Sequence, residues 1–393
     1  MSYSENLYKI WEWGAKNIVD APLPWGINLV QAIDPKYRFL KWRAKGGEAV
    51  IIDTYDALLE KNIILKVALP RITSKLSDNP AEFRKKKNIF IKNLKRLTPG
   101  RKRKIDKDTE LSTRFDGGGV NQRTLHKHLI EGGFLKYGYI PDVYEIGRPP
   151  IQYVAMEQIN GESLFNWAIG KTQEQILRMF LNIIIIFEGV LHAHGIVHAD
   201  VKPDNFMVLK DIPVFLDFSV SKDMTRGQRL TTINSQISNR QTTSPEQKMG
   251  ASTRDYRDDI FSIMVCLWIV WEHKEPVLWK PNEGNVTKAL KIIQERYPSS
   301  VFPFPIKMVF DRATKAREER YQDISDMRKD FEEVINLMYS PRGGGGDMKR
   351  LEKRIFVLET QLKRVHKVLS EENDNEQGIP DVVDSDLGTS SST

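Results

Sequence analysis

The stretch from His198 to Ser219 constrains the fold and the chemistry of this chain more than any other part of it. It has the sequence His-Ala-Asp-Val-Lys-Pro-Asp-Asn at positions 198–205 and Asp-Phe-Ser at positions 217–219. The separation between Asp200 and Asp217 is that of a loop, a strand and a second loop. We therefore expect the chain to return on itself here and to bring these two carboxylates together.

The residue types in this stretch suit phosphoryl transfer from Mg-ATP. Asp200 can accept the proton of an attacking hydroxyl, and Lys202 can contact the transferring phosphate. Asn205 and Asp217 can bind the metal, so ATP and Mg²⁺ are the expected cofactors. Any one of these residues alone would be typical of an ordinary polar loop. The whole set at this spacing favours the chemistry.

The pattern H-x-D-x-K-x-x-N followed by D-F-x resembles the catalytic and metal-binding loops of the eukaryotic-like (Hanks-type) Ser/Thr protein kinase family. The resemblance extends over about 37–337, roughly three quarters of the chain. Three further matches are structural in that family: Ser244-Pro245-Glu246, the buried arginine at Arg320 and the helix acid at Asp259. Two letters depart from the pattern, Ala199 in place of Arg and Ser219 in place of Gly.

The resemblance also implies a nucleotide site. Lys66 matches the strand lysine that binds the α- and β-phosphates, and the backbone from Glu157 to Ile159 would hydrogen-bond the base. The apolar contacts implied above and below the base are Val50, Ile64 and Met207.

The phosphate-binding part of that site departs from the family pattern. The glycine-rich loop is reduced to Gly46 and Gly47 within residues 44–50, which a hairpin turn would explain equally well. The position of the helix glutamate falls on Gly118, with Gln122 one turn later. Lys66 is then left with three candidate partners: Glu82, Glu131 or Asp217. Ala199 removes the arginine that would bind a phosphorylated activation segment, so we expect activity that is not gated through this residue.

The order of elements predicts an α+β, two-lobed protein kinase-like fold, with a small antiparallel β lobe, a larger α-helical lobe and a C-terminal coiled-coil helix. We expect the helix around Leu125 to begin after a break at residues 117–119. The expected parts are an N-terminal extension (1–36) that packs on the body, a kinase domain (37–338) with a basic insertion (71–108), a Gly-rich linker (339–346), a coiled coil (347–370) and an acidic disordered tail (371–393).

Partners follow from the segments around the domain. The heptad pattern at 347–370 predicts a homo-oligomer, the alternative being a helix packed on its own domain. Residues 71–107 carry fourteen Lys and Arg against three acids, which could bind nucleic acid or anionic lipid, but a solvated loop is favoured. The single cysteine, Cys266, and the lack of about 18 consecutive apolar residues predict a cytoplasmic protein without a membrane span.

Three functional hypotheses remain at this point. The first is a Ser/Thr protein kinase that acts on a protein substrate. The second is a pseudokinase scaffold that binds nucleotide or partners without efficient transfer, favoured by the altered glycine loop and the missing helix acid. The third is a small-molecule phosphotransferase of the aminoglycoside-kinase type, against which Lys202 and the Ser-Pro-Glu motif at 244–246 argue.

Overall fold

The computed structural model describes residues 9–10, 18–45, 49–69, 107–147, 152–225, 242–248, 255–274 and 286–339. The chain divides into two compact units, Met1–Glu332 and Glu333–Thr393. Several sequence predictions fall outside the described residues: Gly46 and Gly47, most of the basic insertion with Glu82, the segment 226–241, the linker, the coiled coil and the tail.

A five-stranded antiparallel sheet forms the upper lobe, as the sequence predicts. Its strands follow the order β1-β2-β3-β5-β4. Their bounds are β1 (Tyr37–Lys45), β2 (Ala49–Asp56), β3 (Lys61–Ala68), β4 (Val143–Gly147) and β5 (Tyr153–Glu157).

The N-terminal extension covers one face of this sheet. Its helix α1 (Leu23–Ile33) places Leu29 and Val30 in one buried cluster with Trp42 and Leu65. The Trp42 indole nitrogen donates to the carbonyl of Ala21 at 3.1 Å. The extension therefore completes the core of the upper lobe, in agreement with the prediction that it packs on the body.

Helix α2 (Lys107–Glu131) follows and passes through the three glycines at 117–119 without a break. The prediction that the glycines interrupt the helix is wrong. Glycine is a poor helix former, but tertiary contacts override such propensities. Here a β-carbon on Gly118 would lie 2.6 Å from Ser219 Cα, and one on Gly119 would lie 3.1 Å from Val154 Cγ2. Close packing therefore accounts for both glycines.

The lower lobe is mostly helical and carries the loops of interest on a small sheet. Strands β6 (Glu162–Ser163), β8 (Phe206–Leu209) and β9 (Ile212–Phe215) form that sheet, and β7 (Ile196–Val197) pairs with β10 (Lys222–Asp223). The helices are α3 (Leu164–Trp167), α4 (Gln173–Ile186), α5 (Pro245–Lys248), α6 (Tyr256–Glu272), α7 (Val286–Arg296), α8 (Phe304–Ala313) and α9 (Ile324–Tyr339). The β8–β9 hairpin separates the loop at 198–205 from the loop at 217–219. The predicted loop–strand–loop is thus a loop, a hairpin and a loop.

Two apolar helices bear on predictions of burial. Helix α4 continues through a π-helical turn (Phe187–Leu191) and a 3-10 turn (His192–His194). Within the part of the chain that the structure describes, Gln173–His194 alone has the length and composition of a membrane span, a weak signal that the core helix of a soluble protein also gives. Cys266 is fully buried in α6, where burial raises the pKa of its thiol.

Candidate active site

The loop that carries Asp200 is fixed by a buried carboxylate from helix α6. The two oxygens of Asp259 accept hydrogen bonds from the backbone N–H groups of His198 and Ala199, both at 2.8 Å. Ala199 adopts a left-handed backbone with φ of 61°, a conformation that persists in non-glycine residues only where neighbouring contacts impose it. Asp259 supplies those contacts, which confirms its predicted role.

Asp200 is oriented by the residues that follow it. The Asn205 amide nitrogen donates to the Asp200 backbone carbonyl at 2.7 Å and to its Oδ2 at 2.9 Å. The Lys202 Nζ lies 3.6 Å from the same Oδ2 and is partly exposed. A carboxylate held in this way, beside a cation at the surface of the cleft, has the arrangement that a general base needs.

Lys66 and Asp217 form a direct ion pair with a separation of 2.6 Å between Nζ and Oδ1. Of the three partners that the sequence allows for Lys66, the structure places Asp217 against it. The same oxygen accepts hydrogen bonds from the Ser219 backbone N–H at 3.1 Å and from its hydroxyl at 2.6 Å. Burial by itself would raise the pKa of Asp217, but the Lys66 charge and these hydrogen bonds hold it well below its ordinary value. The carboxylate is therefore ionised at neutral pH.

Helix α2 has no acid at position 118, where the resemblance places the family's glutamate, or one turn later at position 122. Gly118 packs on the Ser219 backbone, and the Gln122 side chain donates to the Pro141 carbonyl at 2.8 Å. Of the other two candidates, Glu131 lies in the last turn of the helix, 3.5 Å from Lys127, and Glu82 lies outside the described residues. Among the described residues, the loop at 217–219 supplies an ion-pair partner for Lys66 through Asp217.

The residues predicted to surround the adenine base divide between the two faces of the upper sheet. Ile64 and Lys66 share one face, since their partners in the neighbouring strand β5 are Met156 and Val154. Val50 pairs with Val67 and lies on the opposite face, in the buried cluster that the N-terminal extension covers. The structure therefore does not bring Val50 to the Lys66 face.

Ala49 takes that place instead. It pairs with Ala68 and packs with Val154 on the Lys66 face. Alternate residues of β3 share a face with Lys66, but the residues of β2 on that face can be identified only when the pairing of β2 with β3 is known. The altered glycine loop hides that register in the sequence.

The other predicted nucleotide contacts lie at the end of β5 and in β8. Glu157 ends β5, and its carboxylate accepts the Tyr139 hydroxyl at 2.6 Å. Ile159 is buried just beyond it, and Met207 is half-buried in β8, two residues after Asn205. Their contacts with a base stay a prediction.

Strands β1 and β2 remain paired up to Lys45 and Val50. Residues 46–49 alone separate this last pair, a connection short enough for a hairpin turn. Gly46 and Gly47 themselves lie outside the described residues, so the hairpin turn stays a prediction.

Buried ion pairs support the site from below. Arg320 donates to both oxygens of Glu246 at 3.1 Å, as the resemblance implies. A second pair, which the sequence did not reveal, joins Arg317 to both oxygens of Asp258 at 2.9 Å. Ser244 also donates to Asp258, at 2.7 Å. The sequence assigned the loop-holding role to Asp259 but gave no signal that its neighbour Asp258 pairs with Arg317.

The oxygen donors of the site fit a magnesium ion. Mg²⁺ is usually bound by one or two carboxylates together with substrate phosphates. Asp217 offers a carboxylate, and Asn205 offers its amide oxygen because its nitrogen is engaged with Asp200. No cluster of three or more His, Cys, Asp or Glu suited to a metal occurs among the residues with a described placement.

Comparison with known proteins agrees with this geometry. A family model described as the protein kinase domain matches residues 139–340, about half of the chain. The chain is 30% identical over 214 residues to the serine/threonine-protein kinase PknB of Mycolicibacterium smegmatis, which covers 50% of this chain and 33% of that protein. It is 29% identical over 238 residues to a probable serine/threonine-protein kinase PknB of Lactococcus lactis, with 58% and 37% covered. The matched part thus spans about a third of the length of these relatives.

Proposed function

Because the chain belongs to the protein kinase family, we propose that it transfers the γ-phosphate of Mg-ATP to Ser or Thr hydroxyls of protein substrates. One observation carries the proposal. Asp200 is held by Asn205, and Asp217 is paired with Lys66, so the four residues that the reaction needs are all retained in hydrogen-bonded positions. A scaffold that had lost the reaction would have no need to keep this set.

Each residue has a definite part in the proposed reaction. Asp200 takes the proton of the attacking hydroxyl, and Lys202 balances charge on the transferring phosphate. Lys66 binds the other phosphates of the nucleotide, and Asn205 and Asp217 hold the metal. A bound Mg²⁺ supplies neutralisation of the charge that develops on the phosphate oxygens. The nucleotide base is expected against Ile64 and Met207, with Ala49 in the place first assigned to Val50.

Regulation by phosphorylation through position 199 is not part of the proposal. Ala199 is buried and has no side-chain donor with which to bind a phosphate. We expect activity that does not depend on phosphorylation of Thr231, Thr232, Ser235 or Ser238. Stoichiometric phosphorylation of these residues that raised the rate by an order of magnitude or more would contradict this part.

Assembly and location complete the proposal. We infer a homo-oligomer formed by the heptads at 347–370 and a cytoplasmic location, and for the basic insertion we favour a solvated loop over a nucleic-acid or lipid site. Analytical ultracentrifugation of the full chain and of a Leu358→Lys variant tests the assembly, because a charge in the apolar seam should dissociate the oligomer. Equal sedimentation of the two proteins as monomers would contradict it.

Incorporation of label from γ-³²P-ATP tests the proposed activity. Wild type should label a generic basic protein substrate or itself in the presence of Mg²⁺. Asp200→Asn should reduce the rate about 10²- to 10⁴-fold, the usual contribution of a general base. Asp326→Asn is the matched control, because Asp326 is a half-exposed carboxylate outside the site. Nucleotide binding without any transfer by wild type would favour the scaffold.

A further inference from the structure

Helix α2 rests directly on the loop that carries Asp217. A β-carbon on Gly118 would lie 2.6 Å from Ser219 Cα and 2.9 Å from the Phe218 carbonyl oxygen. Real β-carbons essentially never approach backbone atoms so closely, so a side chain at position 118 would push the helix and the loop apart. At Gly119 the neighbour is the sheet instead, with Val154 Cγ2 at 3.1 Å. The two glycines let one helix contact both the loop and the sheet.

A polar contact one turn along the helix fixes where the loop sits. The Asn121 side-chain amide donates to the Ser221 hydroxyl at 3.0 Å, and Asn121 is 8% exposed. The Ser221 hydroxyl in turn donates to the Phe218 carbonyl at 2.7 Å, and the Ser221 backbone N–H donates to the same carbonyl at 3.0 Å. The loop is therefore closed into a turn that is bonded to the helix.

This turn holds the carboxylate of Asp217. The Ser219 backbone and hydroxyl both donate to Asp217 Oδ1, and Ser219 is the residue whose backbone lies against Gly118. Asp217 itself has a left-handed backbone with φ of 56°, which must be imposed by its surroundings. A continuous set of contacts thus leads from the helix to the atom that pairs with Lys66.

We propose that Gly118 and Asn121 are positioning residues that hold Asp217 for metal and nucleotide binding. In this arrangement the helix acts on the metal-binding loop by packing and by one hydrogen bond. Lys66 is then placed by Asp217. The inference rests on the proposed function for its catalytic consequence, but its structural part stands independently of turnover.

Asn121→Ala and Ser221→Ala test the hydrogen bond in the full-length protein. Hydrogen exchange of the segment 216–224, measured without nucleotide, should become faster in both variants. The double variant should exchange no faster than Ser221→Ala, because Ser221→Ala already removes the bond to Asn121 together with the bond from the hydroxyl to the Phe218 carbonyl. Val120→Ala is the control, since Val120 is on the same helix but is 36% exposed. Exchange that remains at the wild-type rate in Asn121→Ala and Ser221→Ala would overturn the proposal.

Kinetics separate positioning from a general loss of stability. Asn121→Ala should lower kcat about 10- to 100-fold, as expected when a reacting group is displaced by a fraction of an ångström to an ångström. It should also raise the Mg²⁺ concentration that gives half the maximal rate, while KM for the protein substrate stays within twofold. Asn121→Asp loses the side-chain donor, so its kcat should be as low as that of Asn121→Ala. Ser221→Thr keeps the hydroxyl, so its kcat should be close to that of the wild type.

Gly118→Ala tests the close packing. It should speed hydrogen exchange of the segment 216–224 and lower kcat by more than Asn121→Ala does. Thermal unfolding will show whether the variant still folds. If it does not fold, the Asn121 result decides alone. If the wild type transfers no phosphate but the variants exchange faster than it does, the proposed function is rejected and the structural contact is retained. Wild-type transfer with unchanged exchange, kcat and Mg²⁺ dependence in the variants would reject the positioning role.

Discussion

The catalytic loop at 198–205 and the contact between helix α2 and the loop at 217–221 are built in different ways. The first is held by a buried carboxylate, Asp259, whose two oxygens bind two backbone N–H groups at 2.8 Å. The second depends mainly on shape, since Gly118 allows the helix to touch the Ser219 backbone, and one hydrogen bond from Asn121 to Ser221 adds to it. Directional hydrogen bonds require particular residue types, whereas close packing at a glycine requires only that a side chain be absent. Departure from a family pattern in the upper lobe therefore does not amount to loss of the site.

Removal of the Asp259 carboxylate, which holds the loop at 198–205, should have the largest effect on stability. Asp259→Ala leaves two buried N–H groups without an acceptor, at about 1–3 kcal/mol each, so the free energy of unfolding should fall by about 2–6 kcal/mol. Phosphotransfer should be lost as well. Urea unfolding measures the first effect and label incorporation the second.

Two further variants make that prediction specific. Asp259→Asn keeps one oxygen acceptor and should recover part of the stability. Asp326→Ala, which removes a half-exposed carboxylate, should change the unfolding free energy by less than about 0.5 kcal/mol. Equal behaviour of Asp259→Ala and Asp326→Ala would show that the loop is not held in the way described.

A core substitution in the N-terminal extension should weaken the upper lobe by packing alone. Leu29 is fully buried beneath the sheet, so Leu29→Ala should lower the free energy of unfolding by about 2–5 kcal/mol. Leu23→Ala on the same helix is the control, because Leu23 is 59% exposed. A similar small change for both residues would mean that the extension is not part of the core.

The pH dependence of stability should reveal a smaller effect at the far end of helix α2. The rings of His128 and His194 are stacked with centroids 3.6 Å apart, and Lys127 and Glu131 are the charged neighbours on the helix. Burial first, and then His194, lower the pKa of His128, while Glu131 opposes the shift. The unfolded chain therefore takes up this proton at a higher pH than the folded protein does.

Because the unfolded chain binds this proton more tightly, protonation of His128 favours unfolding. Stability from His128 should be fully present above its ordinary pKa of about 6.5 and should be lost as the pH falls from there toward the lower folded value. His128→Gln should make the fall in Tm between about pH 6.5 and pH 5 shallower. An unchanged slope would exclude His128 as its source.

The two regions also differ in how far the sequence could predict them. Asp200, Lys202, Asn205 and Asp217 were predictable because the proposed chemistry depends on the type and spacing of their side chains. The glycines at 117–119 were misjudged as a helix break, since local propensity cannot register a loop that packs against them from a hundred residues away. Val50 was assigned to the wrong face for a related reason. A one-residue change of register reverses every side chain of a strand, and only strand pairing determines it.

The pairing of Lys66 with Asp217 is the claim on which the description of the upper lobe depends. A double-mutant cycle measures it most directly, with kcat/KM for phosphotransfer determined for wild type, Lys66→Met, Asp217→Asn and the double variant. If the two residues act as one unit on the same phosphates, each single change should cost about 10²- to 10³-fold, and the double variant should be close to the poorer single variant. A double variant whose loss is the product of the two single losses would contradict the account.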